Sequence, residues 1–141
     1  RTMANEVALV TADRVEIVES IIQMTLPTAE AITAGMAVRL DTTNGKWTKA
    51  NGSGAAEARA WGVATRTAPS GGALTAIRKG VMDGWDLSAL DYDAPIYLSD
   101  TDGRLSTVAG STSVVIGRVI PGTSTTLGTA YDKLLSLEIG G

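Results

Sequence analysis

The amino-acid sequence predicts an all-β fold, a small β-barrel or sandwich built from two related halves. After Pro27, glycine, serine, threonine and alanine separate short runs of strand-forming residues. A turn signal flanked by such runs occurs twice along the chain. The 141 residues suffice for one domain with a buried core and are too few for two. We therefore expect one β-domain over residues 21–141, with its halves at about 31–80 and 91–141.

The N-terminal segment, residues 1–20, is predicted to be an extended arm whose local structure the pattern leaves open. Charged and apolar residues interleave in it, without glycine or proline. Val15 and Val18 have helical spacing, but apolar residues also alternate from Val18 to Leu26, where β-branched residues are frequent. We assign a strand to residues 21–26 and an arm to what precedes it.

A β-hairpin is predicted around the dipeptide Asn44-Gly45. Residues 37–40 and 46–49 have the composition of strands and flank it on both sides. Both central positions of a type I′ turn need a positive φ, which asparagine and glycine tolerate. This is the strongest short-range hairpin signal in the chain.

The same hairpin pattern recurs around Asp102-Gly103. Aligning Asp41 with Asp100 brings an acidic residue, a threonine, the turn and a following basic residue into register, if one residue near the turn is dropped. The downstream matches are WGVA at 61–64 with IGRV at 116–119, and LTAI at 74–77 with LSLE at 135–138. Because a hairpin plus two strands cannot bury its own apolar face, we expect the two halves to close on each other.

The composition narrows the possible functions. The chain contains no histidine and no cysteine, so it lacks an imidazole base, a thiol nucleophile, a disulfide and the usual zinc ligands. A net charge of −3 argues against nucleic acid as a partner, and no apolar run has the length of a membrane span. We predict that the protein is not an enzyme and has no catalytic residue, cofactor, metal site, membrane partner or small-molecule substrate.

The acidic and glycine-rich loops have a structural interpretation. Residues 100–103 resemble the start of a calcium-binding loop, but Leu98 occupies the position of its first acidic ligand, so a turn is favoured. Asp91 and Asp93 are interpreted as solvated loop acids, with a carboxylate pair as the alternative. The glycine loops lack the lysine of a phosphate-binding loop.

The three tryptophans are predicted to have different roles. Trp47 and Trp61 lie in predicted strands and are expected in the core. Trp85 stands between the two halves and has acidic residues on both sides, so it is either an exposed anchor for a partner or a plug at the end of the barrel. The predicted oligomer or partner contacts are Asp83, Trp85, Asp86 and Tyr92.

Four segments resemble the small capsid decoration (cement) proteins of tailed bacteriophages. They are AITAGMAVRL at residues 31–40, AWGVA at 60–64, DAPIYLSD at 93–100 and VIGRV at 115–119. The resemblance covers roughly residues 31–120 and rests on strand patterns. It implies an all-β, multimeric protein, made in the host cytoplasm, that coats the outer capsid surface of the virion and stabilises the shell. It supplies no catalytic residues.

In that role the partners are the major capsid protein and further copies of the chain in a homotrimer, which suits three-fold positions of a shell. The N-terminal arm is expected to bind the capsid, since its apolar residues suit strand addition to the sheet of a neighbouring protein. The predicted capsid-binding residues are Asn5, Val7, Leu9, Val10, Val15 and Ile17. A receptor- or glycan-binding module of the virion, a head-tail or tail structural protein, and a disordered arm remain the alternatives.

Overall fold

The computed structural model describes residues 7, 9, 15–87, 89–121 and 133–139. Over these residues the chain is all-β, as predicted, and forms one antiparallel sheet that curls into a half-barrel. The strands are β1 (Glu16–Pro27), β2 (Ala37–Leu40), β3 (Trp47–Lys49), β4 (Gly62–Ala64), β5 (Ala73–Asp83), β6 (Pro95–Leu98), β7 (Leu105–Ser106), β8 (Val115–Pro121) and β9 (Lys133–Glu138).

The strand order carries the repeat that the sequence indicates. The sheet runs β3-β2-β4-β5-β9-β8-β6-β7, with β1 added alongside β5. Strands β2 to β5 thus have the same connections as β6 to β9: a hairpin, whose first strand pairs with a third strand, which pairs with a fourth. The halves join where β5 pairs with β9, so equivalent strands follow in the same order from either end of the sheet.

The pairing also corrects the register of the repeat. Leu40 pairs with Trp47 as Leu98 pairs with Leu105, so Leu40 and Leu98 are equivalent. The alignment on Asp41 and Asp100 therefore shifted the first hairpin strand by one residue. The two aspartates are therefore not equivalent, and their carboxylates accept hydrogen bonds from different neighbours.

Asp41 caps its own turn, where its carboxylate accepts a hydrogen bond from Thr43 N–H at 2.8 Å. Asp100 instead accepts bonds from Ser111, 2.8 Å from the amide and 2.7 Å from the hydroxyl, and so ties the hairpin to the next loop. The two residues share a type without sharing a position.

Close approach of strands explains why glycine recurs in the matched segments at 61–64 and 116–119. A Cβ on Gly62 would lie 2.7 Å from the carbonyl oxygen of Ile77, and one on Gly117 would lie 2.1 Å from that of Ser136. Gly62 pairs with Val38 as Gly117 pairs with Ile96. Glycine at these equivalent positions lets the third strand of each half lie against the fourth.

The core has two clusters, one on each face of the sheet in the first half. The smaller centres on Trp47, which is fully buried and donates its indole N–H to Leu74 O at 2.8 Å. Trp61 is half-buried and packs on Trp47 with ring centroids 5.2 Å apart. The predicted core position is confirmed for Trp47 and is only partial for Trp61. The larger cluster fills the half-barrel.

Strand β1 begins at Glu16, so residues 16–20 of the predicted arm belong to the sheet. The strand pairs with β5 along its whole length. The 11 residues of β5 extend beyond the segment that pairs with β4 at one end and beyond the segment that pairs with β9 at the other end. At Gly80 the two strands are so close that a Cβ would meet Glu19 O at 2.3 Å. Local composition favoured a short strand, but the length of β5 extends it.

Candidate interaction surface on the N-terminal strand

The N-terminal half of β1 exposes four large apolar side chains. Their exposed fractions are 45% for Ile17, 49% for Val18, 58% for Ile21 and 45% for Ile22. All residues from Glu16 to Gln23 are exposed. We call this stretch, residues 16–23, the β1 surface. Contiguous exposed apolar side chains of this kind mark surfaces that meet a partner.

The pairing of this stretch with β5 is irregular. The register shifts three times: Val18 and Ile21 have no partner residue in β5, and Arg78 of β5 is skipped between Ile22 and Gln23. Irregularities so close together twist an edge strand and make its outer edge unsuitable for regular strand addition. In the described part of the chain β1 pairs with β5 alone. The β1 surface is therefore built for contact through side chains.

The same surface is acidic. Glu16 and Glu19 are exposed, and β1 contains no basic residue. Glu16 pairs directly with Asp83 of β5, which places two like charges opposite each other at this end. A cationic partner would relieve that repulsion.

The predicted capsid-binding residues divide into three groups. Val7 and Val15 are buried in the larger core cluster, with 5% and 8% of their surface exposed, and Leu9 packs against that cluster. Ile17 is exposed and belongs to the β1 surface. The other two predicted residues, which lie outside the described residues, are Asn5 and Val10.

Contacts with its own domain fix the described arm residues. Val7 N–H donates to Leu105 O at 2.9 Å, and Leu9 forms an antiparallel bridge with Trp85. Gly35 makes room for this contact, since a Cβ there would lie 2.7 Å from Leu9 Cδ2. Val7, Leu9 and Val15 thus stabilise the fold of this chain, and their predicted contact with a capsid stays a prediction.

The second predicted group also divides. Trp85 is only 2% exposed, so the exposed-anchor interpretation is wrong and the plug interpretation agrees with the packing. Asp83 is half-buried and accepts a bond from Gly84 N–H, whereas Asp86 is exposed. Tyr92 is 52% exposed, with Lys133 Nζ 4.9 Å from its ring centroid. Of this group, Tyr92 retains a large exposed aromatic surface.

A basic pocket lies on the first half of the sheet. Its volume is about 420 Å³, and Arg59 and Arg78 stand on an otherwise largely apolar wall. The Arg78 guanidinium carbon lies 5.5 Å from the ring centroid of Trp61, within the range of a cation–π contact. The other lining residues are Leu40, Thr42 and Ala60. We call this site the arginine pocket.

Sequence reasoning found one residue of the β1 surface, Ile17, and missed the rest of that surface and the arginine pocket. The consecutive apolar pairs at 17–18 and 21–22 break a two-residue alternation, and that irregularity was the available signal for bulges. No local signal existed for the pocket. Arg59 and Arg78 come together because β4 pairs with β5 at Ile77 and Ala76.

Two carboxylates elsewhere have a lowered pKa. Partial burial opposes the ionisation of Glu30, but hydrogen bonds from Thr48 and the Lys49 amide, with the charges of Lys49 and Arg39, outweigh it and hold its pKa below the ordinary value. The hydroxyl and amide of Ser111 lower the pKa of Asp100. Glu30 ties its loop to β3, Asp100 ties the second hairpin to the next loop, and both lie outside the β1 surface.

The described residues contain no cluster of three or more potential metal-ligating His, Cys, Asp or Glu side chains. They also include no helix that could span a membrane. Comparison of the chain with protein-family models, curated proteins and solved structures gave no significant match.

Proposed function

We propose that this chain is a decoration protein of a tailed-bacteriophage head, which binds the outer surface of the capsid as a homotrimer and stabilises the shell. The observation that best supports a role in assembly is the β1 surface, with its four exposed isoleucine and valine side chains on an irregular edge. Such a surface has a use only when another protein covers it.

The resemblance to decoration proteins adds the identity of the partner. Its segments lead into or form β2, β4, β6 and β8, the strands that the two halves share. The major capsid protein is then the partner. A trimer that touches several capsid subunits gains avidity from contacts that are individually weak, because each later contact forms at high effective concentration.

Binding to heads that lack the protein tests this function. The purified chain should sediment with such heads in many copies per particle and raise the temperature at which they release DNA. Ile21→Asp should weaken binding to heads about tenfold or more, since a charge in the apolar β1 surface opposes the protein contacts on which the avidity of the oligomer depends. Val108→Asp, at a loop position that is 48% exposed, makes the same change elsewhere and is the matched control.

A surface substitution is preferable to truncation of the arm, because Val7 and Val15 belong to the core and their loss would unfold the domain. Failure of the wild-type chain to bind heads would overturn the proposal. Binding to a glycan without binding to heads would favour a receptor-binding module, and a few copies per particle would favour a head-tail protein.

A further inference from the structure

The arginine pocket holds two positive charges that no described carboxylate neutralises. Arg59 is exposed and Arg78 half-exposed, and within the described ranges neither guanidinium forms an ion pair. Two like charges beside one cavity repel each other, and a bound anion removes that repulsion. A volume of about 420 Å³ lies within the usual range for a binding pocket.

The lining indicates what kind of anion fits. Leu40, Ala60 and the Trp61 indole supply apolar surface beside the two guanidinium groups. A carboxylate on an aliphatic stem, with branched aliphatic neighbours, would cover the walls and pair with the charges. Arginine favours carboxylates because its planar group donates two parallel hydrogen bonds.

The β1 surface of the same chain has this chemistry. Glu19 is exposed and has Val18 on one side and Ile21 close on the other. The two glutamates of β1, which has no basic residue, equal the two arginines of the pocket in number and are opposite to them in charge. The bulges keep the edge irregular, which suits insertion of side chains into a pocket.

Within one chain these groups do not meet. Arg78 is the residue of β5 that β1 skips between Ile22 and Gln23, whereas Glu19 pairs with Val81. Three residues of strand separate the two positions by about 10 Å. The carboxylate of Glu19 and the arginine pocket are therefore separate sites along β5, and a second copy is needed to bring them together.

We propose that copies of this chain associate by seating the β1 surface of one copy, with Glu19 at its centre, in the arginine pocket of the next. The contact deepens the self-association included in the proposed function and does not depend on binding to a capsid. Every copy offers both a carboxylate and a pocket, so the contact is head-to-tail and gives a closed ring when the rotation between copies closes, as a homotrimer requires.

Charge reversal with the purified full chain tests the contact, and sedimentation equilibrium is the measurement. Wild type should be oligomeric. Glu19→Arg and Arg59→Glu should each weaken association by about 100-fold, because each places like charges together. The double variant Glu19→Arg/Arg59→Glu should regain association, since it restores opposite charges. Asp91→Arg and Arg66→Glu, at exposed sites outside the pocket and the β1 surface, are the controls and should associate as wild type does.

Tryptophan fluorescence gives a second readout that locates the contact. Trp47 and Trp85 are 0% and 2% exposed, so quenching by acrylamide reports mainly on half-buried Trp61. The oligomer should be quenched less than the Glu19→Arg monomer at equal protein concentration. Rescue of association in the double variant should restore that protection.

A wild-type chain that is monomeric at all concentrations would overturn this contact, as would an oligomer that tolerates both single reversals. Failure of the double variant to recover would overturn it as well. These results are separable from the proposed function. A monomer that still binds heads keeps the function and assigns the β1 surface to the capsid, whereas an oligomer that binds no heads keeps the contact alone.

Discussion

The two halves of the sheet share one topology and differ in what they bury and what they expose. Where the first hairpin has Trp47 opposite Leu40, the second has Leu105 opposite Leu98. The first half adds Trp61, the arginine pocket and the long β5 that carries β1. The comparison teaches that the repeat fixes the backbone connections, whereas the β1 surface and the arginine pocket, among the described residues, both lie beside β5 of the first half.

The turn glycines show the same divergence at a smaller scale. Gly45 and Gly103 have φ values of 71° and 72°, so the predicted positive φ is confirmed at both glycines. Asn44 and Asp102 do not have a positive φ, so the prediction of a type I′ turn, which needs it at both central positions, is wrong. A Cβ on Gly45 would meet nothing within 4 Å, whereas one on Gly103 would lie 2.8 Å from Met36 Cγ and 2.9 Å from its Cβ. The first turn is free in solvent, and the second is packed into the domain.

The largest effect is expected at the glycines that let the strands approach. Gly117→Ala should destabilise the fold by about 3 kcal/mol or more and Gly62→Ala by about 2 kcal/mol, because each new methyl group meets a backbone carbonyl that cannot rotate away. Urea unfolding measures both. Val115→Ala, two residues from Gly117 on the same strand and exposed, should change stability little. Wild-type stability for Gly117→Ala would refute the close packing of β8 on β9.

The turn glycines come next. Gly103→Ala should cost about 2 to 3 kcal/mol, since strain from positive φ adds to a clash with Met36, whereas Gly45→Ala should cost about 1 kcal/mol from strain alone. Gly71, with a φ of 82° and no atom within 4 Å of a Cβ, offers the matched control for strain without a clash. Equal losses at Gly45 and Gly103 would remove the difference between the two turns.

These cases show why part of the molecule was readable from the sequence. The Asx-Gly turns and the X-Gly strands follow from local steric limits, so the residues at those positions reveal the repeat directly. The start of β1 at Glu16 depends on β5, far along the chain, and no local rule extends a strand to match its partner.

The candidate sites were harder for the same reason. Burial of Trp85 depends on Leu9 and Gly35, which reach it from distant parts of the chain. The acidic residues on both sides of Trp85 suggested that its side chain is exposed, but the tertiary contacts bury it. Arg59 and Arg78 become one pocket only through the pairing of β4 with β5.

The smallest expected effect is on stability, at one carboxyl group in each half. The two carboxyl groups have their pKa lowered by different contacts. Glu30, before the first hairpin, has ionic support, with Lys49 Nζ 3.8 Å from its carboxylate, whereas Asp100, after β6 in the second half, relies on Ser111. A carboxyl whose pKa is lower in the folded state stabilises the fold above its unfolded pKa and loses that effect as the pH falls through the folded pKa.

Glu30→Gln should therefore cost less than about 1 kcal/mol at neutral pH, because the pair is partly exposed, and nothing in acid below both pKa values. Asp100→Asn should show the same direction with pH. Added salt should reduce the loss for Glu30→Gln, since ions screen its pairing with Lys49, and should leave Asp100→Asn nearly unchanged. Urea unfolding at neutral and acidic pH, at low and high salt, measures each difference. Equal salt dependence at the two sites would show that hydrogen bonds, and not the ion pair, stabilise both carboxylates.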